Sequence, residues 1–413
     1  MPFRNYLRIL AVCLALSAIA EVPGTAVAQE KKEGEEKPPA PSMDETTAKR
    51  LNEAIELLNT DQYDAAKQAI GKLDLTKLSP YERSRAEQIL ASIDHAKENF
   101  PGARGHLQEA LKAGGLNELE ILQVRYQIAQ LFMAEERWKD GAAALEEWFK
   151  IAPTPNAAAY YLLAIAYYQM EDFAKALPPA KKAVELTHKP QQSWLELVLA
   201  IHLQREDYKE AIPLLKRLIA LTPEKKAYWI QLSSIYGQLE DYENAVIILE
   251  LAYNAGLLNE DSELRRLADL LVFIDVPYRA GQLLTDAIEK KKVTPDSKLY
   301  EKLANCWIAA REYEKAIGPL GRAGELSGNG DIYIRLGEVQ VQRHEWPSAA
   351  DAVRRGIDKG GLKDPANAQL LMGIALYNDK KLKESREWFQ RAAASPQRRQ
   401  TAQSYIQAID SGL

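Results

Sequence analysis

Apolar residues in this chain recur at helical spacing from about Thr47 to the C-terminus. In "YWIQLSSIYGQLEDYENA", residues 228–245, Trp229, Leu232 and Tyr236 stand at i, i+3 and i+7 and share one helix face. The stripe returns as Tyr300, Leu303 and Trp307, as Tyr160, Leu163 and Tyr167, and as Tyr333, Leu336 and Gln340. A small residue follows the Leu each time: Ser233, Ala304, Ala164 and Gly337. Strand-like alternation is absent, so the pattern predicts helices nearly throughout.

A longer period overlies the helical one. A turn-like stretch, usually aromatic, followed by a small residue recurs at Ala66, Ala103, Gly141, Ala176, Ala211, Ala245, Ala280, Ala316, Ala349 and Ser385, in steps of 33 to 38 residues. A fixed period in the mid-thirties predicts an array of helix–turn–helix repeats, and ten units fit between residues 47 and 396. The aromatic marks the turn. The small residue opens the second helix, where the two axes must approach to about 8–10 Å. Inward positions of the second helices are again apolar and then small, as in Leu249 and Ala252, Leu320 and Ala323, and Leu107 and Ala110.

Departures from the pattern carry their own expectations. In the fifth unit Trp194 lies 14 residues before Tyr208, against 13 from Trp229 to Tyr242. One extra residue and a local irregularity are expected there. The first two units lack the leading aromatic and are expected to pack loosely. Three units end in glycine turns, "KAGGLNE" (112–118), "NAGLLNE" (254–260) and "KGGLKDP" (359–365). Glycine there takes the left-handed conformation that ends a helix, the following Leu folds back, and Asn or Asp caps the next helix.

Ten units in register resemble the tetratricopeptide repeat family, whose pattern runs W-x2-L-G-x2-Y, then A, then F or L, then A, then P, with Pro153 and Pro223 as closing prolines. The resemblance implies an all-α fold, a right-handed superhelical solenoid of about ten repeats. Residues 47–116 hold less regular repeats and 117–396 clearer ones. The stretch 397–413 reads as the polar-faced capping helix such arrays require. Trp229, Leu232, Tyr236 and Ala245, with Ala176, Ala211, Ala280, Ala316 and Ala349, are the structural signature.

The N-terminus stands outside the pattern. Arg4 and Arg8 precede an apolar run at residues 9–20, followed by Val22-Pro23-Gly24 and by Ala26-Val27-Ala28. This is the order of a secretory signal peptide, with cleavage expected after Ala28. Twelve apolar residues fall short of the ~20 that cross a bilayer, so no transmembrane segment is expected after cleavage. Cys13 leaves with the peptide and Cys306 remains, which allows no internal disulfide. Residues 29–46 are charged and Pro-rich and read as a flexible linker. The formal net charge of −5 and pI of about 5.8 make the chain a poor nucleic-acid binder. Exported and helical, the mature chain is expected in the periplasm.

Candidate chemistry is sparse. His95, His106, His188, His202 and His344 form no H-E-x-x-H pair and read as surface or turn residues. Cys306 reads as a small buried hydrophobe. "GELSGNGD" (324–331) lacks the Lys-Ser/Thr of a phosphate loop and reads as a cap and turn. Acidic pairs such as Glu206–Asp207 and Glu240–Asp241 favour the dipole of the helix that follows. No catalytic residue, metal site or cofactor is assigned, and the chain is read as a non-enzyme.

The family geometry implies a concave face lined by first helices. Its third and fourth units offer Tyr126, Met133, Tyr161, Ile165 and Tyr168, an apolar strip suited to a peptide or to packing between units. Its seventh to ninth units offer Arg266, Lys298, Lys302, Asn305 and Arg335. These resemble part of a carboxylate-clamping set, diluted by Asp269 and Glu338, and otherwise read as a solvated face.

Over residues 205–396 the phrases "EDYKEAIPLLKRLIALTPEKKAYWIQLSSIYGQLEDYENAVIILELAYNAGLL", "VPYRAGQLL", "AREYEKAI" and "KGGLKDP" resemble periplasmic tetratricopeptide proteins associated with TonB–ExbB–ExbD systems of Gram-negative bacteria. That resemblance implies a scaffold for envelope proteins, among them TonB, ExbB, ExbD or TonB-dependent receptors. Two alternatives stay open: a scaffold for outer-membrane protein assembly or secretion, and a carrier of a small molecule or glycan.

Overall fold

The structure, a computed structural model, describes residues 42–412. The expected signal peptide, residues 1–28, and most of the expected linker lie outside those residues. Among the described residues all regular structure is helical, in twenty-one α-helices. They divide after Leu221 into two compact units.

The first unit holds five hairpins: α1 (Glu45–Asn59) with α2 (Tyr63–Gly71), α3 (Pro80–Ala96) with α4 (Phe100–Ala113), α5 (Glu118–Ala134) with α6 (Trp138–Ile151), α7 (Ala157–Gln169) with α8 (Phe173–Glu185), and α9 (Gln192–Gln204) with α10 (Tyr208–Leu221). The second unit holds five more: α11 (Lys226–Gln238) with α12 (Tyr242–Asn254), α13 (Asp261–Phe273) with α14 (Pro277–Glu289), α15 (Ser297–Ala309) with α16 (Tyr313–Leu326), α17 (Asp331–Gln342) with α18 (Trp346–Lys359), and α19 (Pro365–Asn378) with α20 (Leu382–Ala392). A single helix follows, α21 (Arg399–Ser411). Within each unit, every second helix also packs on the first helix of the next hairpin. Each unit is thus a helical repeat stack, the arrangement that the mid-thirties period predicts.

One turn is built ten times. The residues Asp61, Glu98, Glu136, Glu171, Glu206, Glu240, Asp275, Arg311, His344 and Lys380 all have φ between 54° and 64°. Each follows a first helix, and the next residue's N–H returns to the carbonyl five positions back, as in Asp241 N to Tyr236 O at 2.9 Å and Val276 N to Leu271 O at 2.8 Å. This is the Schellman closure, which satisfies carbonyls that a helix end leaves open. None of the ten is glycine, so every hairpin carries the steric cost of a left-handed side-chain residue.

Beyond the turn, the small residue is buried in every unit: Ala66, Ala103, Gly141, Ala176, Ala211, Ala245, Ala280, Ala316, Ala349 and Ser385. A Cβ at Gly141 would lie 2.7 Å from Met133 Cε. Ser233 and Ser385 donate hydroxyl bonds across their hairpins, to Ala245 O at 2.9 Å and Gly373 O at 2.8 Å. Gly114 and Gly256 have the expected positive φ of 75°, but Gly360, at φ 77° and ψ −167°, departs from the left-handed helical conformation expected there. Leu258 folds back and is fully buried, and Asn117 and Asp364 cap the helices that follow.

The fifth unit corrects an expectation. Its first helix, α9, has 13 residues, as does α11, and the two share the same turn closure, so no extra residue sits there. Leu195, fully buried, occupies the register of Trp229. Trp194 stands one position earlier and stacks on Tyr161 with ring centroids 5.4 Å apart. The first two hairpins do form a core, around Leu51, Ala54, Ile70, Leu90 and Ile93. In the second, the leading-aromatic position is taken by Glu87, buried and 2.7 Å from His106 Nδ1.

Candidate functional site

First helices carry the residues that the sequence singles out, and the two units use them differently. In the first unit the apolar strip is drawn inward. Met133, Tyr161, Ile165 and Tyr168 are 2%, 6%, 5% and 8% exposed and belong to one core with Leu145, Ala180 and Trp194. Tyr126 is half-buried, its ring 5.0 Å from Trp148, and burial pushes its hydroxyl up to about 12. Tyr168 meets Phe173 edge-on at 5.5 Å. Both ring contacts lie within a hairpin, α5–α6 and α7–α8, while Tyr161 stacks on Trp194 of the next hairpin. Of the two readings open for this strip, the geometry realises packing, and only Tyr126 keeps appreciable surface.

In the second unit the polar residues stay on the surface and engage one another. Arg266 on α13 reaches back to Ser234 Oγ on α11, a long contact at 3.5 Å. Lys302 on α15 meets Asp269 on α13 at 2.5 Å. Arg335 on α17 pairs with Glu301 Oε1 on α15 at 2.6 Å and also donates to Asn305. Asn367 on α19 donates to Glu338 on α17 at 3.2 Å. Each step therefore runs from one first helix to the preceding one.

The structure thus pairs Lys302 with Asp269, one of the two acids expected to dilute the set, and Arg335 with Glu301 and Asn305, while the other, Glu338, is engaged by Asn367. Lys298, exposed at the start of α15, takes no part among the described residues. A sequence signal for this ladder exists. Arg266 and Asp269, Lys302 and Asn305, and Arg335 and Glu338 are each a donor followed by an acceptor three places on. At the repeat spacing, that offset puts each donor opposite the previous acceptor.

Trp229 is half-buried, and its indole N–H donates to Pro223 O at 2.8 Å. Leu232, Tyr236 and Ala245 are buried. Cys306 is 2% exposed, and burial pushes its thiol up to about 11, opposite to the lowered value of a nucleophilic thiol. His202 departs from the expected surface position: it is 2% exposed, with Nδ1 3.2 Å from Asp207 Oδ2. His106 is half-buried, and its Nε2 lies 3.7 Å from Asp94. Among the described residues no group of three His, Cys, Asp or Glu side chains could hold a metal ion, and no helix is long and apolar enough to cross a membrane.

No curated protein matches the chain. Among solved structures it is similar to a tetratricopeptide repeat protein from Parabacteroides merdae, at 12% identity and a TM-score of 0.39, over 72% of this chain and 100% of that one. It is similar to YrrB, a TPR protein with an unusual peptide-binding site, at 16% identity and a TM-score of 0.35, over 41% of this chain and 84% of that one. It is also similar to the TPR2AB domain of yeast Sti1 in a pHSP90 complex, at 16% identity and a TM-score of 0.30, over 62% of this chain and 96% of that one. One tetratricopeptide repeat family model matches residues 126–191 and 334–399, and a second matches 227–255. These matches fall in both units and on hairpins closed by the same turn: the chain carries tetratricopeptide repeats.

Proposed function

We propose that the protein is a non-enzymatic scaffold of the bacterial cell envelope, held in the periplasm after removal of residues 1–28, and an accessory of a TonB-type system. Tetratricopeptide repeats support protein–protein interaction, and the first-helix face of the second unit is the observation that carries the reading. It presents exposed Lys298 beside the ladder that includes exposed Arg266 and Asn305, and among the described residues no His, Cys, Asp and Glu group could hold a metal ion. A partner with carboxylates along an extended edge would compete for Lys302 and Arg335 with Asp269 and Glu301. The export reading rests on the basic, apolar and small-residue order of the N-terminus, and the TonB reading on the sequence resemblance across residues 205–396.

The test is a photo-crosslinking amino acid placed at Arg266, Lys298 or Asn305 in cells, with N-terminal sequencing of the mature chain. A chain beginning at Gln29 with adducts to TonB, ExbB, ExbD or a TonB-dependent receptor supports the proposal. Adducts only to assembly or secretion proteins favour the other envelope role. A chain kept in the cytoplasm overturns both.

A further inference from the structure

A cavity of about 530 Å³ opens in the first unit among the first three hairpins. Its floor is aliphatic, with Leu107 from α4 and Leu131 from α5. Its polar wall comes from three repeats: Asn59 at the end of α1, Gln88 and His95 on α3, and Gln127 on α5.

Three features define what it accepts. First, none of its lining residues is an acid, a lysine or an arginine, and burial lowers the His95 pKa and keeps its ring neutral. An ionic ligand would enter without a counter-charge, which is costly. Second, His95 Nε2 is buried without a hydrogen-bond partner among the described residues, and the side-chain amides of Asn59 and Gln127 have none there either. Gln88 Oε1 is taken by Arg85 at 3.0 Å, which leaves the Gln88 N–H groups to the cavity. A buried nitrogen such as His95 Nε2 normally finds a partner, whereas Asn59 is exposed and Gln88 and Gln127 are half-buried, which leaves their amides open to water or to a ligand. Third, no lining residue other than His95 has a ring, so a flat heterocycle finds no stacking wall.

The polar groups also stand at unrelated places along their helices: two residues before the left-handed turn residue for Asn59, three for His95, ten for Gln88 and nine for Gln127. An extended peptide crossing successive repeats would need its partners at recurring positions. A compact ligand does not. The volume falls within the roughly 300–1,000 Å³ of small-molecule sites. We infer that this cavity binds an uncharged, polyhydroxylated ligand about the size of a mono- or disaccharide, through Asn59, Gln88, His95 and Gln127. The inference stands apart from the scaffold reading.

The test is saturation-transfer NMR on the full chain with glucose, maltose and N,N′-diacetylchitobiose, with gluconate as the charged control and a Gly-Ser peptide as the extended one. The His95 imidazole nitrogens are followed in a labelled sample. At least one neutral saccharide is expected to bind and to shift the His95 signals, with gluconate weaker by about tenfold or more. Gln127→Leu, at a half-buried site, should weaken that saccharide by about tenfold with the melting temperature unchanged. His95→Phe should abolish its binding. Saccharides that leave the His95 signals unmoved overturn the inference. So does binding unaltered in Gln127→Leu, or a peptide that binds where the saccharides do not.

Discussion

Lys302 on α15 reaches back to Asp269 on α13, Nζ to Oδ1 at 2.5 Å, and so ties one repeat to the one before it. The Lys302 side chain is 31% exposed and that of Asp269 59%. Solvent screening therefore limits the pair to about 0.2–1 kcal/mol. Lys302→Glu places two carboxylates face to face and should destabilise the second unit by about that amount, more at low salt. Asp269→Lys combined with Lys302→Glu should restore the loss. Urea unfolding at two salt concentrations reads both, and a double variant no better than Lys302→Glu refutes the pairing. Any loss of acidic-partner binding on replacing Arg266, Lys302 and Arg335 by Glu must be corrected for this structural effect.

The ten left-handed turn residues predict an asymmetry. Glu240 has φ 59° and no glycine flexibility. Glu240→Gly should stabilise the hairpin by up to about 1 kcal/mol, because it removes the left-handed penalty. Glu240→Val, β-branched, should destabilise it by about 1–2 kcal/mol. Denaturant midpoints that move the same way for both variants would contradict the turn assignment.

Close backbone approach predicts a second class of sensitive site. Ala245 is 1% exposed where α11 and α12 cross, and Ala245→Leu should cost about 1–3 kcal/mol. At Gly330 a Cβ would stand 1.9 Å from Gly356 O, a backbone atom that has little room to yield. Gly330→Ala should therefore lower the melting temperature, whereas Gly318→Ala, with open space around its Cβ, should not. Trp229→Ala should cost less than the 3–5 kcal/mol of a fully buried tryptophan, since the ring is half-buried. Equal losses at Gly330 and Gly318 would count against the crossing geometry.

Acid sensitivity should concentrate at Glu82. Its carboxylate accepts from Ser79 Oγ at 2.6 Å, from Ser79 N at 2.9 Å and from Asp44 N at 2.7 Å, so it fastens the starts of both α1 and α3. The Ser79 hydroxyl first, and then the Asp44 N–H, hold it below its ordinary value of 4.5. A lowered folded-state pKa gives stability that is present above the unfolded value and is lost as pH falls through the folded one. Stability should therefore fall below about pH 4.5. Glu82→Gln should cost about 1–3 kcal/mol at neutral pH and make that acid limb shallower. Urea unfolding at pH 7 and at pH 4 measures the difference, and parallel curves for the two proteins would remove Glu82 from the account.

Much of the architecture was legible because it is written locally. The 33- to 38-residue steps between Ala66 and Ser385 recur in the left-handed turns from Asp61 to Lys380. The same few residues supply the helix end, the turn and the small crossing residue. Trp194 misled because an aromatic is easy to see, while the residue that holds the register, Leu195, looks ordinary. Tyr161 and Ile165 were legible as an apolar strip with peptide binding and packing both open, because an apolar side chain on a first helix has the same pattern whether a partner or the next hairpin covers it.

By itself, then, the sequence determined the repeat. Turn chemistry, helix periodicity and the need for a small residue at each crossing act over a few neighbouring positions and leave the hairpin little choice. Tertiary structure decided how the hairpins use their surfaces. Stacking sets Lys302 against Asp269 and Arg335 against Glu301, buries Tyr161 against Trp194, and leaves open space between Asn59, His95 and Gln127. Those relations join residues about 30 to 70 positions apart. They exist only once successive repeats have been laid side by side.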